Sequence, residues 1–197
     1  MMAITGLGFI GFLIAHLAGN LTLYGGMDSF NLYAEKLHAM GPMVTLAEFG
    51  LLFLAIVHIS TGVILFLQNF KARPQAYVVK KSAGGRTIGS MTMPYSGFLI
   101  LLFVILHLAD FHFVDKTGTT IFQIVSQTFA NPVYIIVYTV AVVIVAIHVS
   151  HGFWSLFQTI GLNHPKYTPT VKGLGIVLSF ILGVGFGFLP LYVAFLS

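Results

Sequence analysis

Val57–Asn69 reads VHISTGVILFLQN, and Ile147–Thr159 reads IHVSHGFWSLFQT. Aligned without a gap, each gives a histidine, a β-branched residue and a serine, then a glycine four positions and a glutamine ten positions after the histidine. His58, Ser60, Gly62 and Gln68 thus match His148, Ser150, Gly152 and Gln158. Upstream, His16-Leu17-Ala18 matches His107-Leu108-Ala109. The interval from His16 to His58 is 42 residues and that from His107 to His148 is 41. Pro42 and Pro132 each stand 16 residues before the second histidine of their unit. The chain therefore carries a two-helix unit twice, running in the same direction.

These units lie in an apolar chain. Of 197 residues, 57% are hydrophobic and 7% charged, against about 25% charged in soluble domains. Five stretches are long enough to cross roughly 30 Å of hydrocarbon: Ala3–Tyr24, Pro42–Phe70, Pro94–Val114, Pro132–Gln158 and Gly173–Leu196. Little remains for a soluble domain, so residues 1–197 are expected to form one all-α membrane domain. The first stretch lacks a charged n-region and a small-residue cleavage site, which argues against a signal peptide. It opens almost at residue 1, which suggests that a short leader has been lost. The absence of cysteine excludes disulfides, thiolate-bound iron–sulfur clusters and covalent haem attachment.

Basic residues set the expected orientation. Lys71, Arg73, Lys80, Lys81 and Arg86 follow the second stretch, and Lys166 and Lys172 follow the fourth. The opposite loops hold only Lys36 and Lys116, beside Asp28, Glu35, Asp110 and Asp115. Seven of nine Lys/Arg thus lie on one side, which is expected to be cytoplasmic, with the N-terminus inside and the C-terminus outside. The net charge of +4 needs no nucleic-acid partner. The basic loops serve topology and lipid headgroups, or a docked soluble subunit.

His16, His58, His107 and His148 fall inside four different apolar stretches. Hydrocarbon cannot hydrate an imidazole, so each needs a partner. Parallel repeats relate by an axis along the membrane normal, which sets equivalent residues at equal depth. It pairs His16 with His107 and His58 with His148, at levels roughly 10–14 Å apart by helix rise. Two imidazoles facing each other suit the two axial positions of a haem. Without cysteine it would be a b-type haem, giving a four-helix bundle around two stacked haems b, with a fifth helix beside it. Gly62 and Gly152 lie one turn after a ligand candidate and either leave room for a macrocycle or allow close helix packing. His151, one turn after His148, is an interface residue or a contact to a haem propionate. His112 and His38 lie near the outer side, and His164 in an inner loop.

The AHLAGN context of His16, the His58-x3-Gly62 stretch, LHLADFHF at His107 and HVSHGFWS at His148 resemble the cytochrome b membrane-anchor subunits of the succinate dehydrogenase/fumarate reductase family, in their five-helix, two-haem form. The Asn31…His38…Pro42…Glu48 pattern is similar too. The resemblance covers nearly the whole chain, although members often have a basic segment before the first helix that this chain lacks. It implies a bacterial-type cytoplasmic membrane, with a flavoprotein and an iron–sulfur subunit on the cytoplasmic side. Electrons would pass between them and a membrane quinone, usually menaquinone, through the inner haem (His58/His148) and the outer haem (His16/His107). This chain would be the quinone-reactive subunit, with no dicarboxylate site or flavin of its own.

Quinone chemistry needs a proton-exchanging group near an interface. Glu48 is the clearest candidate, with Asn20, His38 and His112 nearby on the outer side; it could equally be an interfacial carboxylate paired with a loop residue. A second quinone position is conceivable on the inner side, near Gln68, Arg86 and Ser90. Two rival readings stand beside this one. The first is a di-haem cytochrome b anchoring a hydrogenase or formate dehydrogenase. The second is a transporter or structural anchor without haem.

Overall fold

The computed structural model describes residues 1–72 and 87–196. Arg73, Lys80, Lys81 and Arg86, assigned above to the inner loop, lie outside the described residues. Every regular element among the described residues is helical: α1 (Met2–Asn20), a 3-10 turn (Leu21–Gly25), α2 (Gly26–Ala39), α3 (Pro42–Lys71), α4 (Ile88–Phe111), α5 (Ile121–Phe129), α6 (Pro132–Thr159) and α7 (Thr168–Leu196). Five helical segments are long and apolar enough to cross a membrane: Met2–Ala39, Pro42–Lys71, Ile88–Phe111, Pro132–Thr159 and Thr168–Phe195. The chain thus has the build of a multi-pass membrane protein. Large apolar side chains point outward, with Leu46 73% and Phe49 66% exposed, as expected where lipid rather than water is the solvent.

Pro42 and Pro132 open α3 and α6 in the first helical turn, where a missing N–H costs nothing. Asn131 caps α6 by accepting from the Val133 amide. Several boundaries differ from the expected ones. The third span starts at Ile88 rather than Pro94 and ends at Phe111 rather than Val114. The Thr87 hydroxyl accepts from the Ser90 amide and the Ser90 hydroxyl from the Thr87 amide, a reciprocal cap that nucleates the helix earlier. Pro94 is carried inside it, as membrane helices tolerate. The fifth span starts at Thr168 rather than Gly173, because its first turn is polar and contributes little to an apolar pattern.

The connections after α1 and α4 also contain two helices that the pattern of apolar stretches does not reveal, α2 and α5. They pack together, with the Asn31 Oδ1 accepting from the Phe122 amide at 3.1 Å. Beneath them, Leu23, Phe30, Val125, Phe129, Tyr138, Leu189 and Val193 form a buried cluster. A second cluster, Ile10, Leu17, Val149 and Leu182, joins α1, α6 and α7 deeper in the bundle. Small residues permit the close approach of α7: a Cβ at Gly183 would lie 3.2 Å from Ala146 Cβ, and one at Gly185 2.7 Å from Leu17. α7 packs along both α6 and α1, so it is part of the core and not an appendage to the first four spans. α3 is different, since none of its residues is buried.

Candidate cofactor site

His16 stands on α1 and His107 on α4, each four residues before the end of its helix. Their rings meet edge to face, with centroids 5.8 Å apart and planes at 87°. Both line a partly open cavity of about 140 Å³ together with Phe103, Phe111, Tyr138 and Phe186. Phe12 stacks on the His16 ring at 5.2 Å and Phe103 tilts against His107 at 5.8 Å. Phe12 and Phe103 are 91 residues apart, the same offset as His16 and His107. The aromatic neighbour one turn before each histidine is therefore a repeated feature. The Nδ1 of His107 is buried and has no hydrogen-bond partner among the described residues. The Nδ1 of His16 lies 3.4 Å from the Asn20 amide nitrogen, which also donates to the His16 carbonyl at 2.8 Å. Asn20, expected in the outer quinone region, is thus a neighbour of His16 in the cavity lining.

At the other level stand His58 of α3 and His148 of α6. Each reaches a hydroxyl on a neighbouring helix. His58 Nδ1 is 2.9 Å from Thr5 Oγ1, and His148 Nδ1 is 2.9 Å from Ser96 Oγ. Thr5 and Ser96 are again 91 residues apart. Sequence reasoning passed over both, although carrying the His16/His107 alignment back by eleven residues brings them into register. Eleven residues are about 16 Å of helix, so the two histidine levels are separated by somewhat more than the interval first expected.

Gly62 and Gly152 do not share one environment. A Cβ at Gly62 would lie 3.4 Å from the Met2 methyl group, whereas one at Gly152 would meet nothing within 4 Å. His151 faces the Thr87 hydroxyl at 3.4 Å and the edge of Trp154 at 5.1 Å. Its Cβ lies against Gly89, where a methyl group would come within 2.6 Å. On the outer side, Glu48 Oε1 and His112 Nδ1 are 3.8 Å apart, with the side chains 49% and 45% exposed. His38 is not brought to that pair by any hydrogen bond; its Nδ1 contacts the Ala34 carbonyl of its own helix at 2.7 Å. On the inner side, Gln68 is exposed, the Ser90 hydroxyl is committed to the α4 cap, and Arg86 lies outside the described residues.

The donor set fits a haem better than a bare metal ion. Among the described residues no group of three or more His, Cys, Asp or Glu converges, whereas a macrocycle would bring the remaining donors itself. His16 and His107, with ring centroids 5.8 Å apart, are the residues that would hold such a group from α1 and α4. The unpartnered Nδ1 of His107 and the exposed face of α3 are consistent with such a group. A macrocycle is larger than the cavity, so seating one requires the surrounding aromatic rings to turn aside. No protein family, curated protein or solved structure matches this chain.

Proposed function

We propose that this chain is the membrane-anchoring cytochrome b subunit of a succinate:quinone oxidoreductase, with two haems b held by His16/His107 and by His58/His148. One observation carries the reading: the His16 and His107 rings, on two candidate membrane spans, meet as the sequence repeat pairs them, with no carboxylate hydrogen-bonded to either of them or to His58 or His148 among the described residues. Imidazoles kept neutral in an apolar setting suit a ligand role better than a charge-carrying one. A haem held by such a pair of imidazoles would supply single-electron transfer.

The residues of this chain supply holding and exclusion. α1 and α4 present the outer pair, and α3 and α6 the inner pair. Phe12, Phe103, Phe111 and Phe186 surround the outer pair with apolar rings. Glu48 and His112 form a polar pair at the outer end of the bundle, the position from which protons can reach a quinone at the membrane edge. The basic inner side, including Lys71, Lys166 and Lys172, suits an iron–sulfur subunit that docks there and relays electrons from a flavoprotein. With that side cytoplasmic, the N-terminus is inside and the C-terminus outside.

Purification of the intact complex tests the proposal. Two haems b per chain, a flavoprotein partner and succinate:quinone turnover are expected. A colourless preparation would overturn the haem assignment. Haem with a hydrogenase or molybdenum partner would overturn the succinate assignment and leave the di-haem site standing.

A further inference from the structure

The contacts of Thr5 and Ser96 go beyond the ligands themselves. A hydroxyl carries one proton and two lone pairs. Thr5 Oγ1 lies 3.1 Å from the Met2 carbonyl, and Ser96 Oγ lies 3.1 Å from the Met93 carbonyl. Each hydroxyl is thus placed to donate to the carbonyl three residues back. The oxygen is then left to accept, and the group 2.9 Å away is a histidine Nδ1. Accepting from Nδ1–H fixes the tautomer and leaves the Nε2 lone pair bare.

The following residue repeats the pattern. A methyl group at Gly6 would lie 3.8 Å from Cε1 of His58, and one at Gly97 would lie 3.6 Å from Cε1 of His148. The same ring edge therefore faces the same register position in both units, so the orientation of the rings is repeated along with the contact. The outer histidines have no such acceptor among the described residues. His107 Nδ1 is unpartnered, and His16 Nδ1 faces an amide nitrogen.

We infer that Thr5 and Ser96 are positioning residues for the inner haem ligands: each hydroxyl accepts the Nδ1 proton of its histidine, holds the ring, and frees Nε2 for the iron. This rests on the di-haem reading above. An acceptor behind a ligating imidazole makes the ring a stronger donor and orients it, which favours the ferric over the ferrous state. The polar contact is neutral at both ends, so it is compatible with the membrane interior where a carboxylate would be costly.

Potentiometric titration of the haem bands in the purified complex tests this, with the inner component defined as the one lost in His58→Leu. Thr5→Val and Ser96→Ala keep approximate shape and remove the acceptor. Each is expected to raise the inner midpoint by about a tenfold change in the ferric/ferrous equilibrium, about 59 mV for one electron, with the outer component unmoved. Thr5→Ser and Ser96→Thr should restore it. Thr5→Cys and Ser96→Cys, with a weak sulfur acceptor, provide the same test if the first variants do not assemble. Unchanged midpoints with both haems retained would overturn the inference and leave the proposed function intact. A shift of both components, or failed rescue by the hydroxyl variants, would indicate general loosening of the bundle and also overturn it. A wild-type chain without haem would sink the function and the inference together.

Discussion

The imidazoles of His16 and His107 stand edge to face at 5.8 Å in a pocket walled by aromatic rings. The helices that carry them share a register offset of 91 residues, and α3 and α6 share one of 90. Contacts made in one half recur in the other: phenylalanine against outer histidine, and hydroxyl against inner histidine. Such recurrence is hard to obtain from histidines placed only to satisfy local hydrogen bonds, because nothing then requires the two halves to agree.

The pairing yields a specific expectation for single replacements. His16→Leu and His107→Leu should each lower the haem content from about two to about one per chain and abolish the same spectral component, because a bis-imidazole haem loses half its axial ligation. His58→Leu and His148→Leu should abolish the other component. Haem content per chain and reduced-minus-oxidised spectra decide it; loss of one component by both His16→Leu and His58→Leu would break the pairing.

On the proposed function, the Glu48–His112 pair would exchange protons with the quinone. Glu48→Gln is expected to slow quinone turnover by about 10²-fold, within the usual range for losing a general acid–base group, with haem spectra unchanged. His112→Gln should act in the same direction and more weakly, since it faces the carboxylate at 3.8 Å. His38→Gln should leave turnover near the wild-type rate, because its ring contacts its own helix. Steady-state assays with a soluble quinone analogue distinguish the three.

Much of this arrangement was legible in the sequence. Apolar stretches of sufficient length give the five spans, and proline at the start of α3 and α6 makes two boundaries sharp. The histidine repeat is legible because histidine is rare and costly in hydrocarbon. Thr5 and Ser96 were not, because a hydroxyl in a membrane helix usually bonds its own backbone and only the facing histidine gives it a second role. α2 and α5 are amphipathic rather than apolar, so a search for spans passes over them. The Thr120–Gln123 capping box of α5 was the available clue. The α4 start is hard to read from the sequence because Pro94 is a stronger break signal than the Thr87–Ser90 cap.

Outside the spans, the Asp115 turn should respond to acid. The Thr117 backbone amide donates to Asp115 Oδ1 at 2.9 Å, and this bond, followed by one from the Thr117 side chain, holds the carboxyl below its ordinary value of 3.8. A depressed folded value means the contact is fully present above that ordinary value and is lost as pH falls through the folded one. The amide of Thr117 should therefore remain protected from exchange at neutral pH and lose protection only below about pH 4. Asp115→Ala should remove the protection at every pH. Site-resolved exchange at this loop is the measurement, and protection that persists unchanged in Asp115→Ala would contradict it.

Tyr138 joins the outer cluster to α4 through two separable interactions. Its ring is buried among Phe103, Phe111 and Phe129, and its hydroxyl donates to Asp110 Oδ2 at 2.7 Å. Tyr138→Phe keeps the ring and strips a donor from a half-buried carboxylate, at a cost of about 1–3 kcal/mol. Tyr138→Ala removes the ring as well and should cost about 3–5 kcal/mol through the cavity it leaves. The ring also lies 6.0 Å from His107. Tyr138→Ala should therefore disturb the outer haem component, while Tyr138→Phe should lower the unfolding temperature and leave the spectrum alone. Denaturation in detergent, followed together with the haem bands, separates packing from hydrogen bonding; equal stability losses in the two variants would mean that the ring contributes little.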